Sequence, residues 1–301
     1  MTTAERQRFI GSLAAEEIEI LLADWPLWAR RKQLPPAGNW RVWLLLAGRG
    51  FGKTRTGSEW VRSLANNAGR VHGMAGQIGL VGDTFDDVRH VMVEGPAGIL
   101  ANSPKWARPD WQPSQRRLIW PNGVTARCFS ADDPEQLRGP EFEFVWADEI
   151  AKWRHQAAWD NLMLALRIGD APRALATTTP RPLRWLADLA EADDTALVQG
   201  RTVENQPNLS PSYLAAMHVR YGRGWLARQE LDAVLSLAAP DALFQREMLA
   251  AIRRDAPPRR DFVRVVIAAD DWQAAAAEAL ASKWAGQLPR RAAEIARLLR
   301  G

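Results

Sequence analysis

Cysteine is nearly absent from this 301-residue chain, Cys128 being the only one. A single thiol excludes an internal disulfide framework and a cysteine-ligated metal site. Histidine is almost as scarce, and the four present are too dispersed for a zinc cluster. No internal repeat or low-complexity tract is visible. The N-terminal stretch MTTAERQRFIGSLAAEEIEILLADW mixes charges into an apolar period of about 3.6 residues, which predicts an amphipathic helix and excludes a signal peptide or membrane span. A reducing cytoplasm is the compartment these absences fit, with no membrane involved. Excess charge is also small: the net is +4. From Ala251 to Gly301 there are ten Arg or Lys against six Asp or Glu, so the rest of the chain is neutral overall. Two readings of that basic tail stay open, contact with a nucleic-acid backbone and solvated arginines on helix faces.

What is present is ordinary material for a globular protein. With 47% hydrophobic and 25% charged residues, the chain can bury one large core or two smaller ones. Pro35, Pro36 and Gly38 break the chain before the apolar run WRVWLLLAG, which predicts a buried strand. Further strands are expected at Gln77 to Asp83, at RRLIW and VTARCFS on either side of Pro121-Asn122-Gly123, at Phe142 to Glu149, and at Arg173 to Thr179. Helical patterns fall between several of them. Interleaved strands and helices imply an α/β fold with a mostly parallel sheet flanked by helices, and Asn122-Gly123 implies a local antiparallel hairpin. Pro257-Pro258, set among charges in Ile252 to Asp261, reads as a linker that ends the main domain.

Three segments carry chemistry. The first is Leu44-Leu45-Leu46-Ala47-Gly48-Arg49-Gly50-Phe51-Gly52-Lys53-Thr54, a strand entering a glycine-rich turn and then a helix. Glycines let backbone N–H groups wrap phosphate oxygens, a helix N-terminus favours negative charge, Lys53 supplies a cation, and the Thr54 hydroxyl can coordinate Mg²⁺. Ala47 stands where the usual GxxxxGK[ST] pattern has its first glycine. The second is FVWADE, an apolar strand ending in Asp148 and Glu149. In P-loop hydrolases such a pair holds Mg²⁺ through the aspartate and polarises the attacking water through the glutamate. The third is Thr177-Thr178-Thr179-Pro180, hydroxyls at another strand end, placed to sense a γ-phosphate and pass its loss to a moving segment.

With these residues in order, the sequence resembles the terminase large subunit family of tailed phages and gene transfer agents. The likeness runs from about Leu34 to Val234, through LPPAGNWRVWLLLAGRGFGKTRTGSEWVR, GLVGDTFDDVRHVMVEGPAGIL, FSADDPEQLRGPEFEFVWADEIAKW, ATTTPRP and NLSPSYLAAMHVRYGRGWLARQELDAVL. AGRGFGKT is a form of the loop seen in that family. The resemblance implies a P-loop NTPase of RecA/ASCE-like fold, ATP and Mg²⁺ as ligands, and a motor that packages double-stranded DNA into a prohead in the cytoplasm of a bacterial host. Its implied partners are the DNA, a portal protein, a small terminase subunit and further copies of itself in a homo-oligomeric ring. Rival readings are a non-catalytic prophage remnant that binds DNA or a partner, and a helicase-like ATPase.

By position, the resemblance implies that Gly48, Arg49, Gly50, Phe51, Gly52, Lys53 and Thr54 bind nucleotide, that Asp148 joins Thr54 at the metal, that Glu149 is catalytic, and that Thr177, Thr178 and Thr179 form the coupling motif. Gln33 falls where the family places an adenine-reading glutamine, a solvated loop side chain being the other reading. Arg49 and Arg138 are candidate catalytic cations, Arg138 matching the arginine that terminase ATPases present to a neighbouring subunit; a structural ion pair is the alternative for each. The implied division is an ATPase domain over 1–251 with a lid-like segment from about 200, a linker over 252–261, and a short helical remnant of an RNase H-like nuclease over 262–301. The 40 residues from Phe262 include only Asp270 and Asp271 at the place of its first acid, so independent DNA cleavage is not expected. Most of the 15 tryptophans, Trp40, Trp43, Trp60, Trp146 and Trp153 among them, are expected in the core.

Overall fold

The strands alternate their side chains into two separate cores, which is why runs such as VWLLLA are apolar without interruption. The computed structural model describes residues 11–67, 77–221 and 225–236. Their centre is a sheet of eight strands: β1 (Val42–Ala47), β2 (Gln77–Gly82), β3 (Asp110–Gln112), β4 (Arg117–Ile119), β5 (Thr125–Ser130), β6 (Phe144–Ala147), β7 (Arg173–Thr178) and β8 (Thr195–Gly200). Their order across the sheet is β3-β4-β5-β2-β6-β7-β1-β8. The six from β5 to β8 pair in parallel, while β3, β4 and β5 pair antiparallel. The expected hairpin is therefore present, with Gly123 at φ +86° in its turn. On β1, Trp43, Leu45 and Ala47 face one core while Val42, Leu44 and Leu46 face the other. Parallel strands covered on both faces have no solvent side, so both residue parities must be apolar.

Helices cover the two faces. Residues Trp60, Val61 and Ala65 of the helix Lys53–Asn67 join the first core. The helices Gln156–Ala165 and Arg184–Ala190 contribute Trp159, Leu162 and Leu186 to the second. In the chain order used here, α1 is Ala15–Ala23, α2 Lys53–Asn67, α3 Gln156–Ala165, α4 Arg184–Ala190, α5 Pro211–Tyr221 and α6 Trp225–Glu230. The N-terminal helix forms over Ala15–Ala23, yet none of its residues is buried, and Ile20 and Leu22 stay exposed. The tryptophans named above are all buried, as their apolar settings suggested. Cys128 is buried as well, and burial pushes its thiol up to about 12, which removes it as a nucleophile. The linker over 252–261, the tail over 262–301, and Asp270 and Asp271 lie outside the described residues.

Two features seat α2, and with it the glycine-rich loop before it. Glu59, 1% exposed, is gripped by Arg55 at 2.6 Å and Arg62 at 2.5 Å, and Arg62 also donates to the Ala23 carbonyl at 2.6 Å. Gly57 lets the helix approach β6 closely: a Cβ there would overlap the indole of Trp146, which is fully buried. Alanine at 57 would gain about 1 kcal/mol of helix propensity. Overpacking against an immovable ring costs about 1–3 kcal/mol and occasionally more, so the clash wins. Gly57→Ala is expected to lower the urea midpoint at unchanged m-value; a midpoint equal to or above the wild type would refute this packing account.

Candidate active site

Ligands of parallel α/β sheets sit outside the carboxyl ends of the strands. Here the carboxyl ends of β1, β7 and β6 stand side by side, and each delivers one of the three motifs: the loop Gly48 to Gly52 after β1, Thr177 to Thr179 at the end of β7, and Asp148-Glu149 after β6. A cleft of about 470 Å³ opens there, lined by Arg49, Gly50, Gly52, Lys53, Thr54, Glu149 and Thr179 and, beyond the sequence expectations, by Lys152, Arg181 and Glu230.

The loop after β1 is shaped by its carbonyls. Gly50 and Gly52 have φ of +76° and +101°, the left-handed region that glycine enters at no steric cost. Three consecutive carbonyls accept side-chain bonds: Arg49 O from Thr202 Oγ1 at 2.7 Å, Gly50 O from Asn205 Nδ2 at 2.6 Å, and Phe51 O from the Arg30 guanidinium. In a trans peptide the next N–H points opposite to the carbonyl, so tethering these oxygens directs the N–H groups of Gly50 and Gly52 away from the tethers. The Gly50 and Gly52 amides, followed by the N-terminus of α2 and its first-turn donors, are groups of the kind that can receive an anion. Phe51 adds no free donor, because its N–H donates to Gly48 O at 3.2 Å. Its ring is fully buried, packs against Gly200, and lies 4.6 Å beneath the Arg30 guanidinium. Burial holds the Arg30 pKa below its usual value.

Lys53 is 7% exposed and fully engaged: its Nζ donates to Ala47 O at 3.1 Å and Thr179 Oγ1 at 2.9 Å and pairs with Glu149 Oε1 at 3.2 Å. The other carboxylate oxygen of Glu149 accepts from Thr179 N at 3.2 Å. Glu149 also has left-handed backbone, φ 51°, a conformation costing roughly 1–2 kcal/mol for a non-glycine residue. Asp148 is buried and accepts from Thr177 Oγ1. Burial, and then the neighbouring Glu149 charge, push its pKa up to about 6. The Thr177 hydroxyl and the nearby Lys53 and Lys152 charges act in the opposite direction without cancelling the effect of burial. A carboxylate such as Asp148 and a hydroxyl such as Thr54 are hard oxygen donors of the kind Mg²⁺ takes, in small number, alongside phosphate oxygens and water. Among the described residues no group of three or more His, Cys, Asp or Glu gathers to hold a metal without such help. Thr178 Oγ1 accepts from Ala151 N at 3.1 Å, joining the β7 end to the turn that follows Glu149.

The remaining candidates divide. Gln33 is 4% exposed, so the solvated-loop reading fails: burial in the 3-10 turn Arg31–Gln33 keeps it inside. Its amide donates to Thr56 Oγ1 at 3.2 Å and accepts from Arg30 N at 3.3 Å, bracing α2 beside Gly52. Arg49 pairs with Glu230 of α6, Nε to Oε2 at 2.5 Å, and its backbone N–H donates to Glu230 O at 2.8 Å. Arg138 is outside the cleft lining. It is 64% exposed along its side chain and pairs with Glu135 at 3.0 Å. Arg30, Thr202 and Asn205 were not singled out by sequence; an arginine among loop residues and a TVEN stretch give no local signal of a bond to another segment.

The fold is matched by known proteins. The large terminase ATPase domain of Thermus phage P74-26 is similar at a TM-score of 0.51 and 19% identity, over 69% of this chain and 94% of that one. The large terminase of a thermophilic bacteriophage gives 0.56 and 14%, over 76% and 56%. The HK97 bacteriophage large terminase gives 0.50 and 17%, over 79% and 53%. This chain thus spans about half the length of the two whole large terminases, and at these identities the likeness is one of fold, the P-loop NTPase type. No curated protein matches the chain. The family model described as terminase large subunit, T4likevirus-type, N-terminal, matches residues 44–251, and the chain accordingly belongs to the terminase large subunit family.

Proposed function

We propose that this chain is an ATP-hydrolysing motor subunit that drives double-stranded DNA into a phage or phage-like prohead. The supporting observation is the convergence of Lys53, Glu149 and Thr179 through direct contacts at one cleft, with Asp148 and Thr177 joined beside them. The phosphates of ATP would lie on the Gly50 and Gly52 amides and the first turn of α2, with Lys53 between the β- and γ-phosphates. Thr54 and Asp148 would hold Mg²⁺, which when bound neutralises phosphate charge. Glu149 takes a proton from water as the water oxygen bonds to the γ-phosphorus and the bond to the ADP oxygen breaks, leaving ADP, phosphate and a proton that passes to solvent. Incoming phosphate competes with Glu149 for Lys53, so binding itself frees the base. Thr177 to Thr179 then report the change to the Ala151 turn through Thr178. Gln33 acts here as a brace of α2; reading adenine would require its amide to leave Thr56 and turn outward.

The proposal extends to a domain over 1–251 with a lid-like segment from about 200, and to a homo-oligomeric ring working with portal protein and small terminase subunit. The large terminase of the thermophilic bacteriophage is also described in complex with ADP, in a structure similar at a TM-score of 0.54 and 14% identity over 72% of this chain and 52% of that one, which supports a nucleotide ligand here. Among the described residues no helix is long and apolar enough to cross a membrane. The test is phosphate release from Mg-ATP with and without DNA, small terminase subunit and portal. Hydrolysis is expected in the wild type and its loss, with loss of nucleotide binding, in Lys53→Ala. Absence of turnover in every combination would refute the motor and favour the remnant reading.

A further inference from the structure

Five cations line or border the cleft, and three are already matched by carboxylates: Lys53 by Glu149, Arg49 by Glu230, and Arg55 by Glu59. The other two, Lys152 and Arg181, are exposed and make no ion pair among the described residues. Both come from the edge where water would attack, Lys152 ending the turn that follows Glu149 and Arg181 following Thr179-Pro180. Arg181 has one long bond, Nη1 to Ala151 O at 3.4 Å. The N–H of the same Ala151 donates to Thr178 Oγ1 at 3.1 Å. Ala151 is therefore held on both sides by the segment that carries the coupling hydroxyls.

We infer that Arg181 and Lys152 bind the γ-phosphate of ATP from within the same subunit, and so discriminate ATP from ADP. The inference rests on the ATP reading above. A triphosphate keeps net negative charge even with Mg²⁺ bound, and Lys53 is shared with Glu149. Arg181 can leave its long bond at small cost and present a planar fork to phosphate oxygens, while Lys152 adds a point charge. Because Arg181 and Thr178 grip one residue, moving Arg181 to phosphate loosens the turn Ile150–Lys152, and loss of the γ-phosphate restores the grip. The γ-phosphate would thereby be felt at the end of β7 and at the catalytic turn together. The role is distinct from that of Arg138, which lies outside this cleft.

The test compares affinity for a non-hydrolysable ATP analogue and for ADP, both with Mg²⁺. Arg181→Ala is expected to weaken the analogue about tenfold or more, the scale of a lost bond to a charged group, while ADP changes less than about twofold. Lys152→Ala should shift the same ratio in the same direction, and Arg181→Lys should recover part of the loss. Arg184→Ala, which removes an exposed pair with Asp188 at 2.8 Å on α4, should leave both affinities unchanged. ADP affinity also reports that each variant is folded. An unchanged ratio in Arg181→Ala and Lys152→Ala, or equal weakening of both nucleotides, overturns the inference while leaving the ATPase reading intact. A wild type that binds neither nucleotide overturns both.

Discussion

Glutamine at position 149 is expected to lower ATP turnover by roughly 10²–10⁴-fold, the contribution of a positioned general base, while ATP binds at least as tightly as before. The substitution keeps shape and leaves an acceptor oxygen for Thr179 N, but removes the charge that engages Lys53 at 3.2 Å. Lys53 would then meet phosphate without first giving up an ion pair, and the triphosphate would no longer face a carboxylate. Both changes act on binding in the same direction. The pair is about a quarter exposed on the glutamate side, so solvent screening keeps the gain in affinity small. The check is single-turnover hydrolysis beside equilibrium titration with ATP. Unchanged turnover, or loss of binding in a variant whose circular dichroism matches the wild type, would show that Glu149 has another role.

Removing Arg138 should be at least as severe, but only in an assembly. In the described structure its side chain is solvent-exposed, paired with Glu135, and outside the lining of its own cleft. An exposed pair of this kind holds a side chain weakly, so a better anion can capture the arginine. Placed on the γ-phosphate of a neighbour, an arginine contributes about 10³–10⁵ in turnover. Arg138→Ala is therefore expected to keep ATP binding and the low rate of isolated subunits while losing the acceleration that accompanies ring assembly. Mixing Arg138→Ala with Glu149→Ala decides the geometry, because an interface between them can combine an intact Arg138 with an intact Glu149. Recovered hydrolysis supports a shared site. No recovery in mixtures shown to co-assemble would confine Arg138 to its own subunit or to a structural role.

Much of this architecture was legible before any coordinates. The six expected strands all form, because a run such as VWLLLA, bounded by proline and glycine, has few alternatives to a strand buried on both faces. β8 escaped because it is the edge of the sheet: TALVQG is only partly buried, so its sequence carries no continuous apolar run. β3, of three residues, is too short to show a period. The N-terminal period predicted a helix correctly over Ala15–Ala23 but not its exposure, since periodicity describes a face and not what covers it.

At the site, the glycine-rich loop, the acidic pair and the hydroxyl run were visible as candidates in the sequence, since glycine permissiveness, lysine charge and strand-end carboxylates are properties of the residues themselves. Their meeting in one cleft was not. Lys53 touches Thr179 across 126 positions because β7 lies beside β1, and Arg49 reaches Glu230 across 181 on the side where β8 pairs with β1. The bonds that shape the glycine-rich loop come from Arg30, Thr202 and Asn205, residues with no local signature. The inward turn of Gln33 and the left-handed backbone of Glu149 are likewise set by surrounding packing. Short-range preference determined which elements form and which chemistry each strand end bears; only the sheet order, which decides which distant backbone and charged groups meet out of water, determined how that chemistry is held at rest.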